Sequence, residues 1–452
     1  MRRRWPLLLL AVALCAGAWL RFDWIGQRLS HRRTEKAWHA VVQWEPTYAT
    51  VRWPQDEYLF YVSPAVNSYR GRGFVTDYDR FEGVMVTPPL QSLFILGVFV
   101  LAGDVVRLWV PLAVQAIVAT SAIALAFSLG RRLSSQAGGV GAALLAAIYP
   151  GYVYYSGYLL TESNYLVLLA LTLLLLCRFA ERPGLSRALA AATCLGVTNL
   201  QRPNALHLGV LIAASIVCWS RIGRRATLAS VFLFVPYLVL VPWLLRNWVT
   251  YHEPILISSN VGLNLYIGNN RRLDPLRTPY CEDVIARRED VAEDLEQAFR
   301  GPDGRLTTTY YRYSQAYMDR IKEYVRSAPL HFVKNTAIKL AQEFYLPDET
   351  TSVSVPFLRP RWAFLSLHWL LLSGGILGFA MLLRFRRSPC LSMVSVSFAY
   401  FALTTATFIA SRDGRYTLNL KLFLILFLGA GLDVAVRSMT CPGRSGGGTA
   451  VA

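Results

Sequence analysis

The stretch Val105-Val106-Arg107-Leu108-Trp109-Val110-Pro111-Leu112-Ala113-Val114-Gln115-Ala116-Ile117-Val118-Ala119-Thr120-Ser121-Ala122-Ile123-Ala124-Leu125-Ala126-Phe127-Ser128-Leu129 runs straight into Gly130-Arg131-Arg132. A transmembrane helix needs about 20 consecutive apolar residues, so this run is long enough to cross a bilayer. The arginine pair closes it as a cytoplasmic turn, where basic residues collect. The same pairing of oily run and basic cluster recurs along the chain, and it sets the fold class as an all-α polytopic membrane protein. Composition agrees. Hydrophobic residues make up 54% of the 452 and charged residues only 16%, against about a quarter in soluble domains. A net charge of +18 would suggest nucleic acid in a soluble protein. Here the basic residues cluster between hydrophobic segments, so nucleic acid is excluded as a partner and membrane lipids replace it.

Upstream of that run, Met1-Arg2-Arg3-Arg4 precedes the apolar segment Trp5 to Leu20. It resembles a signal peptide, but with many spans following it reads as an uncleaved first helix with a cytoplasmic N-terminus. Residues 21–89 then form the first outer loop. The loop carries Trp53-Pro54-Gln55-Asp56-Glu57-Tyr58, an adjacent carboxylate pair, and ends at Thr87-Pro88-Pro89-Leu90. Leu90 to Ala102 is apolar but too short for a span, and suits a re-entrant or interfacial piece.

Downstream, the pattern predicts a span from about Ala137 to the aromatic belt Tyr152-Val153-Tyr154-Tyr155, with Thr161-Glu162 just outside. Spans over Tyr165–Phe179, Ala188–Leu200, Ala205–Trp219 and Leu228–Leu245 follow. Residues 247–360 are a large outer loop with helical periodicity over 282–300 and 309–346, the latter divided at Pro329. Its second half, 330–346, is expected to lie on the membrane surface. Spans at 361–383, 390–410 and 416–436 close the chain, and Ser411-Arg412-Asp413-Gly414-Arg415-Tyr416 turns between the last two. The Gly- and Ser-rich tail, 437–452, reads as a disordered cytoplasmic segment. The organisation is therefore a membrane core over 1–246, the loop 247–360, C-terminal helices over 361–436 and the tail, with about ten spans. There is no internal repeat.

This topology gathers Asp56, Glu57 and Glu162 with Arg202, Arg246, Arg412 and Arg415 on the outer face. Ionisable groups near hydrocarbon are costly and have either a function or a partner; the structural alternative is that they pair to hold helices together. Sugar transfer from a polyprenyl phosphate suits such a set. The leaving phosphate is already anionic and needs cations, which arginine supplies bidentately. The acceptor hydroxyl or amine needs a base in line with the anomeric carbon. One carboxylate acting directly on the acceptor gives single displacement with inversion. No cofactor is expected. His31, Glu35 and His39 share a helix face but read as an exposed face, and of the seven cysteines only Cys281 lies in a long polar loop, without an evident partner. A divalent metal is chemically possible on the outer acids but not implied.

Several pieces resemble the integral-membrane GT-C glycosyltransferases, specifically the bacterial protein O-mannosyltransferase and aminoarabinose-transferase group. These are the acidic pair in the first loop, Thr87-Pro88-Pro89-Leu90, Gly130-Arg131-Arg132-Leu133, Tyr155 through Glu162, Gln201-Arg202-Pro203-Asn204, Pro242 through Asn247, Asn260 through Asn270 and Arg415-Tyr416. No single piece is specific; their order and spacing are. The resemblance implies a GT-C-type bundle. It further implies Asp56 as catalytic base, Glu57 as its helper and Glu162 as a second acidic site. Arg202, Arg246 and Arg415 would bind the donor phosphate, with Asn247, Asn260, Asn264, Tyr266, Asn269 and Tyr416 along the substrate loop. A polyprenyl-phosphate-linked sugar would be the donor and a lipid, glycan or protein the acceptor, at the outer face of the inner membrane. Many members carry Tyr where this chain has Gln91. Two other readings also use such charges. A lipid-linked sugar transporter or flippase would show repeats and broken helices near the midplane. A polysaccharide polymerase or ligase need not have an acidic pair in its first loop.

Overall fold

Within a bilayer every backbone N–H and C=O must be satisfied inside the segment that carries it, which leaves the helix as the spanning form here. The computed structural model describes residues 5–30, 58–78, 81–84, 87–105, 107–218, 224–271, 273–276, 299, 308–345, 361–408 and 414–440. Among the described residues, each of the ten apolar runs expected to span is helical over most of its length. Asp56-Glu57, Arg412, most of 282–300 and the tail beyond 440 lie outside the described residues.

Helix α1 (Trp5–Leu29) continues well past Leu20. Its added turns carry the buried Arg21 and Arg28. Arg21 donates to the Gly17 carbonyl at 2.8 Å, the Trp24 indole donates to the Tyr154 carbonyl at 2.9 Å, and Arg28 sits 3.9 Å over the Tyr158 ring. A π-helical turn (Tyr58–Val62) and α2 (Ser63–Tyr69) follow. The short strands β1 (Thr76–Tyr78) and β2 (Phe81–Val84) then pair antiparallel. Helix α3 (Leu90–Ala102) starts directly after the two prolines and stops at Gly103, whose φ of +74° is left-handed.

Helix α4 (Trp109–Leu133) takes up the long apolar run that ends at Arg131 and Arg132. The next span differs from expectation. It is broken into α5 (Gln136–Ile148) and α6 (Pro150–Ser156), bent by 51°. Tyr149 lies at φ −63°, ψ 120°, the extended conformation that a residue before proline prefers. Pro150 then starts the new helix. Beyond it come α7 (Glu162–Glu181), α8 (Leu185–Gln201), a 3₁₀ turn (Pro203–Ala205), α9 (Leu208–Cys218), α10 (Arg225–Leu238) and α11 (Val241–Tyr251). The loop contributes α12 (Val261–Gly268), α13 (Tyr310–Ser327) and α14 (Pro329–Tyr345); α15 (Arg361–Phe385), α16 (Pro389–Phe408) and α17 (Gly414–Thr440) finish the chain. Arg415 and Tyr416, expected in a turn, are in the first turn of α17, and this helix runs four residues past 436. Among the described residues seven helices are long and apolar enough to cross a membrane, or eight if the bent pair α5–α6 is one span. Helix α8 and the Pro203–Cys218 segment are shorter.

Helix α17 is the axis of the bundle. Phe423, Ile425, Leu426 and Phe427 on it are buried on all sides. Small residues let α5 and α15 approach it backbone to backbone. A Cβ on Gly431 would lie 2.2 Å from the Gly378 Cα, and one on Gly429 would lie 2.5 Å from the Ala142 nitrogen. Helix α14 keeps Leu330 and Val333 exposed and packs its other face on the bundle: Phe344 lies 6.0 Å from Phe398 of α16, and Asn335 and Lys339 are buried. The reason is a polar stripe at i, i+4 that meets backbone carbonyls. Asn335 donates to Leu273 and Lys339 to Gly268.

Candidate functional site

Glu162 is the first residue of α7, where a carboxylate complements the helix dipole. Facing it is Arg202, the residue after α8. Pro203 forces Arg202 out of helical conformation, to φ −161°, ψ 125°. That turns its side chain toward Glu162, and Nη1 donates to Oε1 at 3.0 Å. The side chains are 11% and 4% exposed, so this is a desolvated pair at a bundle end. The same Nη1 reaches the Arg415 carbonyl at 3.5 Å. Tyr416 receives two guanidinium groups: Arg202 lies 4.7 Å from its ring centroid and Arg415 5.6 Å. Each is within cation–π range.

These four residues line one pocket with Tyr165, Leu166, Asn204, Leu418 and Asn419. Three of the lining residues hold buried polar atoms with no hydrogen-bond partner among the described residues: Glu162 Oε2, Tyr165 Oη and Asn419 Nδ2. Leaving such atoms unpaired costs about 1–3 kcal/mol each.

Next to Glu162 and Arg202 in the chain, Asn164 and Gln201 belong to a network of four buried side-chain amides. Gln91 of α3 donates to Gln115 of α4 at 2.9 Å. The Gln91 carbonyl oxygen accepts from Asn164 at 3.0 Å and from Gln201 at 2.8 Å. Gln201 also donates to the Thr161 carbonyl, and Gln115 to that of Tyr158 at 2.6 Å. The network registers the start of α7 against the end of α8, and so holds Glu162 against Arg202.

Glu162, Arg202, Arg415 and Tyr416 are thus brought together in one pocket. The other described members are used elsewhere. Arg246 lies 5.0 Å from both the Trp243 and Tyr251 rings and donates to the Phe74 carbonyl at 2.7 Å and to Asn247 Oδ1 at 3.0 Å. Asn247 in turn donates to Ile255. Asn269 donates to the Thr407 carbonyl at 2.6 Å and accepts from Lys339 at 3.0 Å, tying α12 to α16 and α14. Tyr266 stacks 5.1 Å from Tyr317. Asn260 sits at the start of α12, and Asn264 is exposed on it. Sequence reasoning passed over Tyr165, Asn204, Asn419 and the amide network. The signal was available: a polar side chain inside an apolar run is expensive and needs a reason. Among the described residues no three His, Cys, Asp or Glu side chains gather into a metal-binding group.

Residues 86–248 match the family model of the dolichyl-phosphate-mannose-protein mannosyltransferases. This stretch contains Gln91, Glu162, Tyr165, Arg202 and Arg246 and ends before Arg415. No curated protein sequence matches the chain. Among solved structures, the Archaeoglobus fulgidus oligosaccharyltransferase AglB, in complex with an inhibitory peptide and a dolichol-phosphate, aligns with a TM-score of 0.51 at 14% identity, covering 100% of this chain and 53% of that one. The apo form of the A. fulgidus oligosaccharyltransferase aligns at 0.50 and 15% identity, covering 99% and 53%. The form tethered to an acceptor peptide with the NVT sequon aligns at 0.50 and 14%, covering 98% and 51%. The chain therefore spans about half the length of these structures, and at this identity the likeness is one of fold. In fold this chain resembles the integral-membrane GT-C glycosyltransferases, and over residues 86–248 its sequence carries the pattern of the dolichyl-phosphate-mannose-protein mannosyltransferases.

Proposed function

We propose that this protein is an inverting glycosyltransferase that moves a sugar from a polyprenyl-phosphate donor to an acceptor at the outer face of the inner membrane. The observation that carries this is the desolvated Arg202–Glu162 pair, which shares a pocket with Arg415 and Tyr416 at a bundle end. The family pattern over 86–248 supports the donor class. So does the dolichol-phosphate bound to the A. fulgidus neighbour, while the peptide complexes of the neighbours favour a protein acceptor over a lipid or glycan.

In this reading the donor phosphate sits at the arginine side of the pocket, where Arg415 and Arg202 offset the charge that grows on it. Asp56 takes the proton of the acceptor hydroxyl or amine, with Glu57 orienting the acceptor. The acceptor atom bonds to the anomeric carbon from the face opposite the phosphate. The bond from that carbon to the phosphate oxygen breaks, and polyprenyl phosphate leaves with the electron pair. One displacement inverts the anomeric centre. Glu162 keeps Arg202 aimed across the pocket and neutralises it until the donor arrives.

The test is Asp56→Asn in membranes supplied with polyprenyl-phosphate-linked mannose, pentose and amino sugar. Whichever donor the native protein uses, the variant should insert normally and lose on the order of 10²–10⁴-fold in transfer. Full activity in the variant removes Asp56 as the base. A native protein that transfers none of the sugars overturns the glycosyltransferase itself.

A further inference from the structure

We infer that Trp24 and Arg28 of α1 are positioning residues for the transfer reaction: they fix the backbone that leads into Glu162, and so set where Glu162 holds Arg202. The kinetic consequences rest on the glycosyltransferase reading; the grip on the backbone does not.

Between α6 and α7 the chain is irregular from Gly157 to Thr161, and every residue of this piece is buried. Buried backbone outside a helix has carbonyls that no helix satisfies, so side chains of neighbouring helices have to supply the donors. Three helices do so here. Gln115 of α4 donates to the Ser156 carbonyl at 3.3 Å and to that of Tyr158 at 2.6 Å. Gln201 of α8 donates to the Thr161 carbonyl at 3.2 Å. Helix α1 adds two more donors: the Trp24 indole N–H reaches the Tyr154 carbonyl at 2.9 Å, and Arg28 Nη1 bonds the Gly157 carbonyl. Both residues exist on α1 only because that helix runs on to Leu29.

The same two side chains bear on rings of the segment. The Arg28 guanidinium lies 3.9 Å over the Tyr158 ring, within cation–π range, and the Trp24 and Tyr154 ring centroids are 5.6 Å apart. Trp24 and Arg28 stand one helical turn apart, so they meet the segment from one face of α1. Gly157 shows how close the fit is, since a Cβ there would lie 2.6 Å from Trp24 Nε1. Tyr158 is four residues ahead of Glu162, the first residue of α7. A shift of the Tyr154–Tyr158 backbone is therefore carried into the first turn of α7, where Glu162 accepts from Arg202 at 3.0 Å. Catalytic geometry is sensitive to such shifts: a misplacement of about 1 Å can cost on the order of 10²-fold in rate.

The experiment uses the full chain in nanodiscs with the polyprenyl-phosphate sugar that the native protein transfers. Trp24→Phe removes the indole N–H and keeps an aromatic ring, Arg28→Met removes the guanidinium donors, and Arg28→Lys restores a donor for the Gly157 carbonyl. Trp24→Phe and Arg28→Met should each lower kcat on the order of 10-fold, a partial misplacement. The KM for the donor should stay unchanged, because the charge that Arg202 offsets grows only in the transition state. Arg28→Lys should recover most of the loss. On a Glu162→Gln background Trp24→Phe should cost nothing further, since the carboxylate it positions is gone; this arm decides the matter even if Arg28→Met does not fold. Losses that multiply with that of Glu162→Gln, or a native kcat in Trp24→Phe, overturn the assignment while the glycosyltransferase reading stands. A native protein that transfers no sugar overturns that reading, and thermal unfolding then decides the assignment. Arg202→Ala should lower Tm less on a Trp24→Phe background than on the native one, and an equal drop overturns it.

Discussion

Helix α7 begins and ends with a glutamate, and each pairs with an arginine from a neighbouring helix. At one end Glu162 meets Arg202, with side chains 4% and 11% exposed; at the other Glu181 meets Arg132, with side chains 37% and 21% exposed. The chemistry of the two pairs is the same and their settings are opposite. Glu181 stands at the helix C-terminus, where a negative charge is unfavourable, and Arg178 in the same turn offsets it. Glu162 stands at the favourable end, buried beside an amide network and lining a pocket with unsatisfied atoms. An ion pair exposed to water records which side of the membrane a loop is on. The same pair withdrawn from water is the arrangement on which the proposed transfer reaction rests.

The comparison predicts a ladder of effects. The largest is on stability. Arg202→Ala leaves Glu162 buried without its counter-charge and should cost about 3–5 kcal/mol, whereas Arg132→Ala should cost no more than about 1 kcal/mol; thermal unfolding of the purified variants, side by side, measures both. If the two variants melt alike, the distinction between the ends collapses. Close behind is activity. Arg202→Ala should lower sugar transfer on the order of 10²–10³-fold, and Arg132→Ala should leave it within a factor of two of native, a difference of less than ~0.5 kcal/mol. The double variant Glu162→Gln/Arg202→Met separates these effects, since it removes both charges together. Unfolding should return to within about 2 kcal/mol of native, with transfer still lost.

Next is the amide network. Gln91→Leu deprives Asn164, Gln115 and Gln201 of one partner each and should destabilise by about 1–3 kcal/mol per buried group left unsatisfied. The smallest effect is that of salt. Coupling between Arg132 and Glu181, from a double-mutant cycle, should shrink as ionic strength rises and the Debye length falls from about 10 Å at 0.1 M to about 3 Å at 1 M. The Arg202–Glu162 coupling should hold. A salt-sensitive Arg202 cycle would mean that the pair is open to water after all.

Much of this architecture is readable in one dimension. Hydrocarbon thickness imposes a length on every apolar run, and the bias of basic residues marks the turns. Leu90–Ala102, read as a short apolar piece after two prolines, is accordingly a helix over those residues. Pro150 shows where such reading fails. A span expected to continue to Tyr155 breaks at Tyr149, because hydropathy does not register a backbone conformation imposed by the next residue. The site divides in the same way. Glu162, Arg202 and Arg415 are grouped by topology and they meet, joined by Tyr416, which only the family resemblance singles out. Arg246 was grouped with them and does not, because the Phe74 carbonyl and the Trp243 and Tyr251 rings engage its guanidinium. Gln91, noticed only as a departure from the family pattern, is the hub on which three other amides converge.

The chain by itself determined its solvent, its helices and the set of charges available at one end of the bundle, since each follows from residue type and spacing along a single strand of sequence. Which of those charges would face one another was decided only by tertiary structure. Arg202 and Arg415 are 213 residues apart, and their meeting depends on a proline that swings one out of its helix, an amide network that sets the register of four helices, and glycines that let α17 pass close enough to bring Tyr416 and Asn419 to the same pocket as Glu162.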